Sequence, residues 1–130
     1  MRRSSNRPTD AELEILRVLW DNGPSTVREI HGILNQAKPT GYTTVLKLTQ
    51  IMVDKELVNR KEVEFQRAHI YEAKVPKEQT QRQLVGDFVG RVFDGSASEL
   101  VMQALSAKTA TPQELDEIRK LLDEYERGTK

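Results

Sequence analysis

Apolar residues recur along this chain at helical spacing, then at alternating spacing, then at helical spacing again. Leu13, Leu16 and Trp20 fall at i, i+3 and i+7, and Ile15 and Leu19 widen the stripe, which predicts an amphipathic helix. Thr9 to Glu12 mark its start as a capping box, in which a hydroxyl and a carboxylate satisfy each other's exposed backbone donors; Asn22, Gly23 and Pro24 end it. A second capping box, Thr26 to Glu29, opens a short helix with Val27, Ile30, Ile33 and Leu34 on its apolar side. Lys38, Pro39, Thr40 and Gly41 break the chain before a third helix that runs to Val53. There Val45, Leu48 and Met52 are spaced to face a core, while Tyr42, Thr43, Thr44 and Lys47 point elsewhere.

After the third helix the period shortens. Leu57 to Phe65 and Ala68 to Ala73 are rich in Val, Ile, Phe and Tyr and are separated by Gln66 and Arg67, which predicts a β-hairpin. Three helices followed by a hairpin make a winged helix-turn-helix, expected over residues 1–76, with Pro76 closing it. From Lys77 the pattern is helical in three pieces. The first carries Leu84, Phe88, Val89, Val92 and Phe93 and stops at Asp94, Gly95 and Ser96; the second carries Leu100, Val101, Ala104 and Leu105. Thr111, Pro112 and Glu114 start the last, which carries Leu115, Ile118, Leu121, Leu122 and Tyr125. These helices are too few and short to enclose one another's stripes, so residues 77–130 are expected to form a helical dimerisation region. The expected fold class is mainly α with a small β-hairpin wing.

The opening turn of the third helix carries the functional signal. It holds small polar and aromatic groups, and from Lys38 to Val53 there is no acidic residue to be repelled by phosphate. An ordinary amphipathic helix with a mild surface is the plain alternative, and the neighbouring elements favour DNA. Thr43 and Thr44 can reach base edges or phosphates, Tyr42 and Lys47 suit the backbone, and Arg60 and Arg67 place cations on or near the wing tip. Trp20 and Tyr71 read as packing residues. His69 is left open between a structural role and phosphate contact. Paired subunits would read a palindrome and double the contacts of a small winged domain.

Charge and composition narrow the field. The 130 residues carry 20 Lys and Arg against 20 Asp and Glu, so indiscriminate nucleic-acid binding is disfavoured. Residues 1–76 hold twelve basic against ten acidic groups and residues 77–130 eight against ten, a weakly basic half joined to an acidic one. Cysteine is absent, which excludes disulfides, thiolate metal sites and cysteine nucleophiles. His31 and His69 lie in different elements without a metal-binding partner at helical spacing, and no phosphate loop or serine-hydrolase motif occurs. No cofactor, metal or enzymatic activity is expected. No apolar run is long enough to span a bilayer, and Arg2, Arg3, Ser4 and Ser5 are not followed by a signal-peptide core, so a cytoplasmic location is expected.

The residues TDAELEILRVLWDNGPSTVREIHGIL from Thr9, GYTTVLKLTQIMVDKELV from Gly41 and RAHIYEA from Arg67 resemble the penicillinase and methicillin-resistance repressors of the BlaI/MecI type, grouped with the CopY repressors. The resemblance implies a homodimeric repressor with a winged helix in the major groove of an inverted-repeat operator, held together by C-terminal helices. Leu84, Phe88, Leu100, Val101, Leu105, Leu115, Ile118 and Leu122 are the dimerisation residues expected from their stripes. It also implies induction through cleavage by a membrane-bound metalloprotease sensor. The family's asparagine-phenylalanine cleavage bond falls on Gln103 and Ala104 here, and glycines common in the family are replaced by Glu56 and Gln66. The lack of cysteine pairs argues against copper sensing. The competing reading is a winged-helix module for protein-protein assembly without an operator, for which zero net charge and the wing residues Glu62 and Glu64 speak.

Overall fold

The computed structural model describes residues 7–63, 68–107 and 109–128. In chain order the elements are α1 (Asp10–Asn22), β1 (Ser25–Thr26), α2 (Val27–Ala37), α3 (Tyr42–Asp54), β2 (Val58–Val63), β3 (Ala68–Ala73), α4 (Lys77–Val92), α5 (Ala97–Ala107) and α6 (Pro112–Gly128). The helices begin where local chemistry dictates. In α1 the Glu12 N–H donates to Thr9 Oγ1 at 3.2 Å and the Thr9 N–H to Glu12 Oε1 at 3.0 Å. Thr26 with Glu29 and Thr111 with Glu114 make the same reciprocal pair at the starts of α2 and α6.

The core of the first half joins Ile15, Leu16, Val18 and Leu19 of α1 to Val27 and Ile30 of α2, Val45 and Met52 of α3, and Leu57, Val58 and Tyr71 around the sheet. The expected α1 stripe is rotated. Val18 is buried while Leu13 and Trp20 are only half-buried, because α1 packs against α2, α3 and β3 together and needs a wider apolar arc. Trp20 sits at the rim, where its indole Nε1–H donates to the Val75 carbonyl at 3.0 Å. Ile33, expected inward, is exposed, since α2 engages the core through Val27, Ile30 and Leu34. Thr49 is fully buried in α3, and its hydroxyl is satisfied by donating to the Leu46 carbonyl at 2.8 Å.

The expected hairpin is part of a three-stranded antiparallel sheet in the order β1-β3-β2. The ladder between β2 and β3 runs from Val58 opposite Ala73 to Val63 opposite Ala68. Gln66 and Arg67, on which the predicted wing tip falls, lie outside the described residues, as do Glu64 and Phe65. The third strand is the correction: Ser25 pairs with Tyr71 and Thr26 with Ile70. Two residues are too few to show alternation. Thr26 reads as a helix cap, and it is both cap and strand.

The turn from α3 into β2 is tight. Leu57 N–H donates to the Met52 carbonyl at 2.9 Å and Glu56 N–H to the Val53 carbonyl at 3.0 Å, which is the Schellman pattern, with Glu56 left-handed at φ 64. That position is one where the resemblance points to glycine, and the backbone explains why. Glu56→Gly is expected to raise stability by about 1 kcal/mol, since the side chain's left-handed strain outweighs the exposed contact that Glu56 makes with Lys74. Unfolding in urea, followed by the fluorescence of the single Trp20, measures it; a lower midpoint would overturn the assignment of strain.

By compactness the chain divides into Met1–Leu84 and Val85–Lys130. The first unit takes in the opening turns of α4, where Thr80 is buried. In the second, α4 ends as the sequence predicts, at Asp94 (φ 54) and Gly95 (φ 87), and Phe88 meets Phe93 edge-on with ring centroids 5.7 Å apart. Neither α5 nor α6 contains a buried residue. Part of each apolar stripe stays exposed, Val101 and Leu105 on α5 and Leu121, Leu122 and Tyr125 on α6.

Candidate nucleic-acid interface

The break at Lys38 to Gly41 sets up the start of α3. Gly41 is its N-cap, in an extended conformation and without a side chain to bond the first amides, and the first turn has no acidic residue. The helix therefore keeps its amino-terminal N–H groups and the positive end of its dipole available to an anion. Tyr42, Thr43, Thr44 and Lys47 are all exposed, Tyr42 at 48%. Val45, Thr49 and Met52 occupy the opposite, buried side. Thr43 and Lys47 are four residues apart and share a face.

A groove of ≈ 440 Å³ runs between the start of α2, the start of α3 and the wing, and is lined in part by Arg28, Tyr42, Leu46, His69 and Tyr71. The fold thus brings Tyr42 beside strand β3. Arg28 is the residue that sequence reasoning missed, because it lies inside the Thr26 to Glu29 capping box. A signal was present: a cation in the first turn of a helix opposes the dipole, and such a residue calls for another reason to be there.

The wing is electrostatically mixed. Lys61 lies 3.5 Å from Glu72, and His69 Nε2 lies 3.9 Å from Glu62. Arg60, exposed on β2 and opposite Tyr71, forms no ion pair among the described residues, and neither does Lys47. On this surface Lys47 and Arg60 therefore carry positive charge that no described carboxylate offsets. Arg67 falls outside the described residues. His69 is exposed beside the groove. His31 instead supports the α2–α3 turn: its Nε2 lies 2.7 Å from the Thr40 carbonyl, and its ring meets Tyr42 edge-on at 5.6 Å. Among the described residues no group of three His, Cys, Asp or Glu side chains could hold a metal ion.

Of the residues expected to join two subunits, Leu84 belongs to the first unit and the other seven to the second. Leu84 is half-buried and lines a groove with Leu13 and Trp20 in the first unit. Phe88, Val101, Leu105 and Leu122 are exposed, Val101 at 47% and Leu122 at 58%; Leu100, Leu115 and Ile118 are half-buried. Leu105 and Ile118 line an apolar groove of ≈ 630 Å³ between α5 and α6. Gln103 and Ala104 are exposed within α5. No helix among the described residues is long and apolar enough to cross a membrane.

Residues 8–124 match the family model described as penicillinase repressor. A transcriptional regulator BlaI from Mycobacterium tuberculosis strain CDC 1551 / Oshkosh is 27% identical over 120 residues, which cover 92% of this chain and 85% of the relative. The transcriptional regulator BlaI of strain ATCC 25618 / H37Rv is similar to the same extent, 27% over 120 residues.

Proposed function

Since this chain belongs to the penicillinase repressor family, whose curated relatives are transcriptional regulators, we propose that it represses transcription as a cytoplasmic homodimer bound to an inverted-repeat DNA operator. The observation that carries the DNA reading is the start of α3: uncapped, free of acid, and presenting Tyr42, Thr43, Thr44 and Lys47 to solvent beside the wing. In this reading Thr43 and Thr44 touch base edges, the first amides of α3 hold a phosphate, and Tyr42, Lys47 and Arg60 fix the protein on the backbone. Arg28 and His69, at the edge of the groove, add to the phosphate contacts, with Arg67 as the wing residue implied by the sequence.

The dimer part rests on the second unit. A small monomer rarely leaves apolar stripes on two successive helices uncovered, and a second copy covers both at once. Derepression through cleavage in α5 by a membrane-bound metalloprotease belongs to the same proposal. Gln103 and Ala104 are exposed there, and a cut between them would detach α6 and weaken the pairing that doubles the DNA contacts. Their identities differ from the asparagine-phenylalanine pair, so the protease would have to accept this bond.

Selection of duplexes from a random DNA pool by the full chain, followed by gel shift across salt concentrations, tests the reading. A selected two-fold sequence supports it. Failure to enrich any sequence would favour the assembly-module alternative. On the selected duplex, Thr44→Ala is expected to reduce discrimination against wrong bases by about 1 to 3 kcal/mol. Equal weakening on selected and random DNA would remove Thr44 from the base contacts. Lys47→Ala should weaken both alike and make the salt dependence shallower by about one phosphate contact. An unchanged slope would place Lys47 off the backbone.

A further inference from the structure

We infer that His31 and Asn35 are positioning residues for the recognition end of α3, an inference that rests on the DNA-binding reading above. Successive turns of α2 put the two side chains on one face, four residues apart. His31 Nε2 lies 2.7 Å from the Thr40 carbonyl oxygen. A carbonyl only accepts, so the proton sits on Nε2 and the ring donates. Asn35 Oδ1 accepts from the Thr40 N–H at 2.9 Å. Both backbone groups of Thr40 are thus held by side chains of α2, and the Thr40 hydroxyl closes the turn by donating to the Lys38 carbonyl at 2.9 Å.

Thr40 immediately precedes Gly41, the N-cap that has no side chain of its own to bond the helix start. On the far side of Gly41, the same His31 ring meets the Tyr42 ring at 5.6 Å with an interplanar angle of 75°. One imidazole therefore grips the chain on both sides of the cap. At α1, α2 and α6 the helix start is fixed by a threonine that occupies first-turn amides. At α3 those amides are needed for a phosphate, so the orientation has to come from outside the helix. The clamp from α2 supplies what a cap supplies while leaving the N–H groups unoccupied.

Base contacts tolerate misplacement of only about 0.5 Å, so loosening this clamp should act on discrimination more than on folding. The test uses the full chain and a duplex that the wild type has selected from a random pool. His31→Ala and Asn35→Ala are each expected to bind that duplex about five- to tenfold more weakly, the loss of one hydrogen bond, with a corresponding fall in preference over random duplex. His31→Gln, whose side-chain amide can donate in place of Nε2–H, should recover most of the affinity and the preference. Equal affinity in both alanine variants and wild type overturns the inference. So does weakening by the same factor on selected and random DNA, or a glutamine variant no better than alanine. Asn35 is exposed, so its alanine variant keeps the test intact if His31→Ala is unstable. If the wild type selects no duplex, the DNA-binding reading itself falls; if it selects one and the alanine variants match it, only the clamp falls.

Discussion

The full chain carrying Val101→Asp and Leu122→Asp is expected to bind a two-fold operator roughly 100- to 10,000-fold more weakly than wild type while retaining its affinity for a single half-site. The reasoning starts from exposure. In one copy of the chain Val101 and Leu122 are already 47% and 58% open to water, so a carboxylate at either position costs the isolated fold little. In a dimer built on these stripes the same carboxylates would be buried against apolar surface without partners, at several kcal/mol. The double variant should therefore sediment as a monomer with an unchanged unfolding midpoint for the first unit. Its DNA binding should lose the effective concentration that one half-site lends to the other. A variant that remains dimeric, or that binds the two-fold operator as tightly as wild type, would refute these stripes as the subunit contact.

Glu12→Ala is expected to destabilise the first unit by about 3 kcal/mol, the largest effect of any single substitution considered for the fold. Glu12 Oε1 accepts at 2.7 Å from Lys55 Nζ and at 3.0 Å from the Thr9 N–H, so one oxygen serves the pair at the end of α3 and the cap of α1. The carboxylate side chain is 3% exposed and its ammonium partner 20% exposed. Alanine removes the half of the capping box in which the Thr9 N–H donates to the carboxylate, and leaves the Lys55 charge mostly buried without its counterion. The double variant Glu12→Ala with Lys55→Met should recover part of the loss, because no charge is then stranded. By contrast, Glu72→Ala breaks only the partly exposed pair with Lys61 and should cost less than about 1 kcal/mol. Urea unfolding reported by Trp20 compares the three; an effect of Glu12→Ala as small as that of Glu72→Ala would show that the buried pair contributes nothing.

Much of this was legible in the residues, and the reasons are local. Capping boxes at Thr9, Thr26 and Thr111 fix helix starts through contacts three residues apart, so their sequence is their geometry. The Asp94–Gly95 stop and the change of period after Leu57 are local in the same sense. The misses share a different cause, namely dependence on partners distant in sequence. Thr26 becomes a strand only because Ile70 lies beside it, and Val18 is buried only because three elements converge on α1. The Glu12 link to Lys55 spans two helices and does not follow from either stripe. On the candidate interface, Tyr42 to Lys47 were readable because the absence of acid is a property of one segment. Arg28 and the clamp of His31 and Asn35 were not, since their meaning comes from the groove and from Thr40.

Thr26 has a consequence for how this chain can change over time. Its side chain starts α2 while its backbone position pairs with Ile70 at the edge of the sheet, one residue after Ser25 pairs with Tyr71. An inserted or deleted residue between Gly23 and Val27 would shift one of these two registers against the other. Descendants of this sequence can drift in composition along that connection, but its length is frozen.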